Sequence, residues 1–215
     1  MRDKTFLIMA GGTGGHVFPA LATALRLLEQ KDKVVWLGSV GGMEERVVEA
    51  SGIEFRGISV KGVRGKGLVT QVLAPFRVFY AVLQAIGIIL QVKPDAVLGM
   101  GGFASGPGGL AARLLGKPLL IHEQNAVAGL TNRLLAKVAT SVMTAFPRAF
   151  TEGINVKHTG NPLREEINAL YYEPIKGIGS GRKVRLLVLG GSLGAARLNE
   201  SIPAAVSHLD SSIRP

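Results

Sequence analysis

Cysteine is absent from this chain of 215 residues, and aromatic residues make up only 6% of it. Without cysteine the protein can form neither disulfide bonds nor thiolate metal sites, and a reducing cytosolic setting is favoured. Only 19% of the residues are charged whereas 47% are hydrophobic, which argues against a disordered chain. The length suits one large α/β domain, or one domain and part of another.

Acidic residues are also scarce, because 15 Asp and Glu stand against 25 Lys and Arg, for a net charge of +10. Such a surplus fits a nucleic acid, an anionic membrane surface or a phosphorylated substrate equally well. Aromatic residues are not interleaved with the basic ones, so charge alone supports a nucleic-acid binder. We therefore expect no nucleic-acid partner.

Long hydrophobic runs are few. The first apolar run, at 5–10, ends in glycine, which is typical of a buried strand and too short for a signal peptide. Residues 78–90 are apolar except for Gln84, but these are about 13 residues where a membrane span needs about 20. The sequence therefore predicts neither export nor a membrane-spanning segment.

Glycine, by contrast, is abundant at 29 residues, and much of it lies in three turns that each follow an apolar run of strand length. The turns are at 11–15, 99–102 and 190–194. Glycine lets backbone N–H groups approach a ligand closely, and a helix N-terminus behind the turn favours negative charge. The pattern predicts that a ligand carrying diphosphate binds at the carboxyl edge of a parallel sheet.

Apolar runs and helical periodicity alternate along the chain. This alternation predicts the α/β class, with a doubly wound, Rossmann-like parallel sheet covered by helices on both faces. Strands are predicted at 5–10, 33–37, 54–58, 95–99, 118–122, 141–145 and 156–159. Helices are predicted at 17–30, 43–51, 68–92, 106–115, 129–138 and, as a short one, 147–151.

The pattern changes after Pro162. We predict a first domain at 1–163, a linker at 164–182 that begins with a short helix at 164–170, and the first βα unit of a second Rossmann-like domain at 183–215. That unit would consist of a strand at 184–189 and a helix at 195–209. A single βα unit cannot bury both faces of its strand, so the rest of that domain would be missing. The alternative is that the strand joins the first sheet as an eighth member.

The first glycine turn fits neither common nucleotide fingerprint. G-x-G-x-x-G read from Gly12 would need glycine in place of Val17, and no Gly-Lys-Ser/Thr of a P-loop follows. The turn does offer the hydroxyl of Thr13 and the imidazole of His16 at a helix entrance. Because the positive end of a helix dipole disfavours imidazolium, His16 is a candidate general base, with helix capping or packing as the alternative.

Polar side chains follow the strand predicted at 118–122. The sequence His122-Glu123-Gln124-Asn125 could bind sugar hydroxyls or orient a base. The alternative is a hydrogen-bonded cap for the helix that begins near Gly129. No metal site is expected at His122 and Glu123, because neighbours on a strand point to opposite faces.

Two further basic features are candidates for anion binding. Arg164 could clamp a phosphate, or it could be an ordinary surface cation. Basic residues also accompany the predicted helix at 68–92, where they could hold an apolar face on an anionic bilayer; the alternative is a core helix with a solvated positive loop. The membrane-facing candidates are Lys61, Arg64, Lys66, Leu68, Val72 and Phe76.

Several segments together resemble one family. They are AGGTGGHVFP at 10–19, GVRGKG at 62–67, GMGGFASGPGG at 99–109, HEQN at 122–125 with AGLTN at 128–132, GNP at 160–162 and GGSLGA at 190–195. These segments resemble the MurG family, the bacterial transferases that add N-acetylglucosamine to the lipid-linked muramyl pentapeptide of peptidoglycan synthesis. The resemblance extends from Lys4 to about Ala196.

The resemblance implies a metal-independent, cofactor-free GT-B enzyme of two domains at the inner face of the cytoplasmic membrane. Its partners would be UDP-N-acetylglucosamine, undecaprenyl-pyrophosphoryl-MurNAc-pentapeptide and the anionic surface of the inner membrane. The transfer would be inverting: the 4-hydroxyl of the muramyl sugar attacks the anomeric carbon of the donor, and UDP leaves. Such a displacement needs a base near the hydroxyl and positive charge near the diphosphate.

Site residues follow from the same resemblance. His16 matches the position proposed for the base, and Glu123 lies in a motif that would support the base or the acceptor. The donor-contacting positions are Thr13, Gly14, Gly15, Asn125, Arg164 and Ser192. The positions for the acceptor diphosphate are Gly11, Gly12, Gly101, Gly102 and Ser105.

The chain departs from the family pattern after Ala195, where family members carry most of a second domain, including the pocket for uracil and ribose. The chain by itself is therefore expected to have little or no turnover. The alternatives are a nucleotide- or phosphate-binding module without turnover and a Rossmann oxidoreductase. The missing G-x-G-x-x-G, and Gly38-Ser39 where an acidic residue would end the second strand, count against the oxidoreductase.

Overall fold

The computed structural model describes residues 3–60, 73–151, 153–170, 186–190 and 195–210. The chain divides into two compact units, Met1–Glu165 and Glu166–Pro215. The seven strands of the described residues all belong to the first unit.

Seven parallel strands form one sheet in the order β3-β2-β1-β4-β5-β6-β7. The predicted doubly wound parallel sheet is thereby confirmed, and each predicted strand of the first domain is present. The strands are β1 (Thr5–Met9), β2 (Lys33–Ser39), β3 (Glu54–Ile58), β4 (Ala96–Gly99), β5 (Leu119–Glu123), β6 (Ser141–Thr144) and β7 (Val156–His158).

Helices cover both faces of the sheet because its strands are apolar on both sides. In β1, Leu7 and Met9 belong to one core and Ile8 to the other. The helices of this unit are α1 (Gly14–Glu29), α2 (Met43–Ala50), α3 (Ala74–Val92), α4 (Ser105–Leu114) and α5 (Leu130–Ala136). Helices α3, α4 and α5 pack in the core that contains Leu7 and Met9. Helices α1 and α2 pack in the other core, which contains Ile8.

Helix α3 has an apolar exposed face. Among the described helices, it alone is long and apolar enough to cross a membrane, with 19 residues and a mean hydropathy of 1.6. This helix is longer than the apolar run at 78–90, so length does not exclude a span. Its opposite face packs in the core through Ala81, Val82, Ala85 and Ile89, as core helices of soluble proteins also do.

The order in which strands are added reverses at β1. Strands β2 and β3 follow on one side of β1, and strands β4 to β7 follow on the other side. Strand β1 pairs with β2 on one side and with β4 on the other, and Met9 lies opposite Gly99 at the carboxyl ends. Doubly wound sheets bind their ligands in the crevice at this switch point. The topology therefore brings the first two glycine turns together.

Two predicted elements are wrong. Residues 147–151 form a turn closed by the Ala149 N–H on the Phe146 carbonyl, because so short a stretch does not recover the cost of nucleating a helix. Residues 186–189 form no strand, and Leu187 and Leu189 are exposed. A strand needs a partner for its N–H and C=O groups, and the described part of the second unit contains none.

The eighth-strand alternative is also wrong for the described residues, because the sheet has seven strands. The helix predicted at the start of the linker is present as α6 (Glu165–Leu170), and the helix predicted at 195–209 is present as α7 (Ala196–Ser207). The predicted domain boundaries remain predictions.

Candidate active site

The first two glycine turns touch through their main chains. Gly102 has a φ of +92°, and a β-carbon built on it would lie 2.7 Å from the backbone nitrogen of Gly11 and collide with the Gly11 carbonyl oxygen. Side chains rarely adopt this φ, and the gap would not admit one. Glycine at 102 is therefore required for the contact between the turns.

His16 lies where the two turns meet. It is the third residue of α1, its Nδ1 is 3.3 Å from the Thr13 hydroxyl oxygen, and its ring is partly exposed. The other side of the ring faces Gly101, where φ is +97° and a β-carbon would come within 2.8 Å of Nε2. The predicted base thus touches the turn predicted to hold the acceptor diphosphate.

Two main-chain N–H groups in the first turn of α1 have no acceptor among the described residues. Thr13 is the N-cap residue, and its side chain makes no capping hydrogen bond. The N–H groups of Gly14 and Gly15 precede any helical acceptor, and Gly15 is exposed. These two N–H groups and the helix dipole make the start of α1 suitable for an anion.

A cation lies near the same helix end. The Arg164 guanidinium stacks on the ring of Phe18, 5.3 Å from its centroid, and a β-carbon on Gly14 would be 3.1 Å from that ring. The ring of Phe18 thus contacts both the Arg164 guanidinium and Gly14 at the start of α1. The sequence analysis did not identify Phe18 as a site residue, because an aromatic residue in the second turn of a helix usually packs in the protein core.

Glu44 was also missed, and it changes the interpretation of the first turn. Its carboxylate is buried, and Oε2 accepts the N–H of Gly12 at 3.2 Å. The burial of Gly11 and the hydrogen bond of the Gly12 N–H count against the prediction that these two glycines bind the acceptor diphosphate, although Gly12 itself is exposed; the assignment stays a prediction. The only sequence signal for Glu44 is its place in the first turn of the helix after β2. Acidic residues are common in the first turn of any helix, so this signal does not indicate a functional site.

Ser105 does not face a ligand. It is fully buried at the start of α4, and its single hydroxyl proton lies between two carbonyl acceptors, that of Gly101 at 2.7 Å and that of Met9 at 2.9 Å from the hydroxyl oxygen. The prediction that Ser105 contacts the acceptor diphosphate is therefore corrected. Its hydroxyl instead ties the second glycine turn to the end of β1.

Glu123 forms the hydrogen-bonded helix cap that was weighed as the alternative. It is fully buried: Oε1 accepts the main-chain and side-chain N–H groups of Asn125, at 3.0 and 2.8 Å, and Oε2 accepts Gly129 N–H at 3.1 Å and Asn132 Nδ2 at 2.9 Å. Direct contact with an acceptor does not fit this burial. Glu123 orients the exposed Asn125, whose side-chain oxygen is left for a ligand.

His122 is a buried histidine beside Glu123. It is 3% exposed, and its Nε2 is 3.0 Å from the Gly160 carbonyl oxygen. Burial lowers the pKa of His122 from its ordinary 6.5, while the Gly160 carbonyl and the charge of Glu123 act to raise it. Buried polar side-chain atoms without a hydrogen-bond partner among the described residues are His122 Nδ1, both amide atoms of Gln124, Asn132 Oδ1 and Thr144 Oγ1.

Several predicted site residues lie outside the described residues. These are Ser192 and the membrane-facing candidates Lys61, Arg64, Lys66, Leu68 and Val72. Phe76, the remaining membrane-facing candidate, is 71% exposed on α3. Within the described ranges, no group of three or more His, Cys, Asp or Glu could hold a metal ion.

The chain is similar to proteins of known family. The glycosyltransferase family 28 N-terminal domain matches residues 6–144. Two relatives, from Hahella chejuensis and Shewanella baltica, are 54% and 53% identical over 100% and 96% of this chain. Both are named UDP-N-acetylglucosamine--N-acetylmuramyl-(pentapeptide) pyrophosphoryl-undecaprenol N-acetylglucosamine transferase.

Solved structures agree with this similarity. Acinetobacter baumannii MurG is 45% identical, covers 96% of this chain and superposes with a TM-score of 0.77. The UDP-N-acetylglucosamine 2-epimerase of Rickettsia bellii, at 12% identity, a TM-score of 0.54 and coverage of 80% of this chain and 48% of its own, shares the fold alone.

The chain spans 59% and 56% of the lengths of the Hahella and Shewanella relatives, and 58% of A. baumannii MurG. The family match covers most of the sheet, from β1 to β6, and includes both glycine turns and His16. On this match, the chain belongs to glycosyltransferase family 28.

Proposed function

We propose that this chain is the acceptor-side part of an inverting glycosyltransferase that moves N-acetylglucosamine from UDP-N-acetylglucosamine to the 4-hydroxyl of lipid-linked N-acetylmuramyl pentapeptide. The observation that carries the proposal is the position of His16, between the free amides of α1 and the second glycine turn. The names of the relatives supply the substrates of the proposal.

His16 is proposed as the general base. When Nδ1–H donates to the Thr13 hydroxyl oxygen, 3.3 Å away, Nε2 carries a free lone pair on the side of the second turn. Nε2 would take the proton from the 4-hydroxyl as the oxygen attacks the anomeric carbon. In this tautomer the Thr13 hydroxyl accepts from Nδ1, and Nε2 is the nitrogen that can take a proton.

Negative charge on a diphosphate would be stabilised at the start of α1. The N–H groups of Gly14 and Gly15 and the guanidinium of Arg164 supply donors and positive charge there. Asn125, oriented by Glu123, and Ser192 complete the proposed donor contacts. Gly101 and Gly102 are proposed to face the acceptor diphosphate. No metal or other cofactor is invoked.

Transfer of labelled N-acetylglucosamine to a short-chain analogue of the lipid acceptor tests the proposal. The enzyme is a chimaera in which residues 1–215 are continued by the C-terminal part of the Hahella chejuensis relative. We expect transfer by the chimaera and its loss in His16→Ala, whereas His158→Ala, an exposed histidine on β7, retains it. Unchanged turnover in His16→Ala would remove His16 as the base.

Peripheral binding to the cytoplasmic face of the inner membrane is proposed for the exposed face of α3. Phe76, Phe79, Tyr80 and Leu83 are 71, 64, 57 and 48% exposed there, with Arg77 among them. Aromatic and basic side chains on one helix face suit an anionic bilayer surface. Basic residues at 61–66 would add to the attraction.

Co-sedimentation with vesicles checks the membrane proposal. The chain is expected to sediment with vesicles that contain phosphatidylglycerol more than with pure phosphatidylcholine, and Phe79→Glu should reduce this binding. Leu25→Glu, an equally drastic change of an exposed apolar residue on α1, serves as the control. Equal binding by both variants and the unsubstituted chain would refute the assignment to α3.

A further inference from the structure

Glu44 is a buried carboxylate beside the glycine turns, and the proposed reaction does not yet use it. It is 1% exposed at the second position of α2; Oε1 accepts the N–H of Ser39 at 2.9 Å, and Oε2 accepts that of Gly12 at 3.2 Å. Within the described ranges no Lys or Arg forms a salt bridge with it. Two main-chain donors and the N-terminus of α2 therefore hold its charge.

Three glycines leave the space that this side chain fills. A β-carbon on Gly11 would collide with Oε1, one on Gly42 would lie 2.5 Å from either carboxylate oxygen, and one on Gly38 would lie 2.9 Å from Cγ. Gly11 and Gly38 have no positive φ, so backbone conformation does not require glycine there. The closeness of Glu44 accounts for glycine at 11, and at 38 the ring of Phe55, 2.5 Å from the added carbon, excludes a side chain together with Glu44.

The carboxylate is linked to His16 by a short series of contacts. Gly12, whose N–H it accepts, directly precedes Thr13, the N-cap of the helix that carries His16. Gly11 touches Gly102 in the second turn, and the neighbouring Gly101 faces the His16 ring. Glu44 thus holds the first glycine turn, which leads into the helix that carries His16.

We propose that Glu44 is a positioning residue for the transfer: it immobilises the first glycine turn and thereby sets the place of His16. Its negative charge also disfavours an anion at Gly12, so a diphosphate is directed to the amides of Gly14 and Gly15 and to Arg164. The inference rests on the proposed function. The inference adds to the proposed mechanism a residue, Glu44, that contacts no substrate. It also assigns the Gly12 N–H to a hydrogen bond within the protein.

Glu44→Gln tests this role in the chimaera. Glutamine has the same size but only one accepting oxygen, so one of the two main-chain bonds is lost. Because small displacements of a reacting group are costly, we expect kcat to fall by roughly tenfold or more. Glu45→Gln is the matched control, since Glu45 accepts the Gly41 N–H at 2.6 Å on the same helix turn without touching the glycine turn. Its kcat should change less than about twofold.

A second readout uses the 215-residue chain without an assay of transfer. In nuclear magnetic resonance spectra, Glu44→Gln should shift the ring signals of His16, and Glu45→Gln should not. In the unsubstituted chain the Gly12 amide should exchange with solvent more slowly than the Gly15 amide, because Glu44 accepts it. This comparison needs no variant and therefore applies even if Glu44→Gln fails to fold.

The outcomes separate the two proposals. A folded Glu44→Gln protein with unchanged kcat and unchanged His16 signals would overturn the role of Glu44, and so would an unprotected Gly12 amide. If the unsubstituted chimaera transfers no sugar, the proposed function fails instead. In that case the exchange rates and ring signals still decide whether Glu44 positions His16.

Discussion

The imidazole of His16 lies directly against the α-carbon of Gly101, so that a β-carbon there would come within 2.7 Å of ring Cδ2 and 2.8 Å of Nε2. His16 belongs to the helix after β1, and Gly101 to the turn after β4. The two residues are 85 positions apart in the chain (101 − 16), and the pairing of β1 with β4 brings them together. The position of the His16 ring therefore depends on the missing side chain of Gly101 as well as on helix α1.

Gly101→Ala should displace this ring. The substitution combines backbone strain at a φ of +97°, about 1–2 kcal/mol, with a steric clash against His16. We expect turnover of the chimaera to fall by roughly tenfold or more. Gly116→Ala is the control, because its φ is +67° and nothing lies within 4 Å of the added carbon. Similar turnover in both variants would show that the contact with His16 is unimportant.

Glu123→Gln should destabilise the first unit without altering its surface. The carboxylate accepts four hydrogen bonds while fully buried, and an amide cannot accept all four. The expected loss is about 1–3 kcal/mol in the free energy of unfolding, measured by urea denaturation. Glu49→Gln, on the exposed side of α2, should stay within about 0.5 kcal/mol. Equal stability of the two variants would contradict the capping role.

Stability should rise with pH through the titration of His122. Because burial lowers the pKa of His122 in the folded state, the unfolded chain binds the proton more readily. The stabilisation is complete above the unfolded pKa of 6.5 and is lost as the pH falls from there toward the folded pKa. His122→Gln should remove this part of the pH dependence in urea titrations.

The exposed His158 supplies the control for that experiment. Its Nε2 lies 2.9 Å from the Ala145 carbonyl oxygen, a contact of the same kind as that between His122 and Gly160. His158→Gln leaves His122 in place and should therefore retain the part of the slope that His122 supplies. A slope that persists in His122→Gln would assign it to other groups.

Ser105→Ala should cost stability and not substrate binding. The buried hydroxyl donates to main-chain carbonyls, so its loss is expected to cost about 1 kcal/mol in denaturation and to leave the KM for the acceptor unchanged. Ser51→Ala, which removes a similar bond to the Val47 carbonyl at the end of α2, should cost a similar amount. A raised KM in Ser105→Ala alone would restore the role in diphosphate binding that the structure argues against.

The strands and most helices could be predicted because their signal is local. Apolar runs located β1, β4 and β5 to within one residue at each end, since a strand buried on both faces must be apolar throughout. The strand predicted at 184–189 was wrong over 186–189 because strand formation depends on a partner. Local sequence gives the tendency of a segment to be extended, and pairing is a property of the assembled sheet.

The site was predictable in part. The sequence by itself determined that glycine turns follow β1 and β4 and that His16 lies in the first turn of a helix. Turns and helix starts depend on residues that are neighbours in the chain. Only the tertiary structure decided that Glu44 takes the amide of Gly12, that Ser105 faces inward and that Arg164 lies on Phe18. Each of these depends on distances between segments far apart in the chain, and those distances exist only once the sheet has brought the segments together.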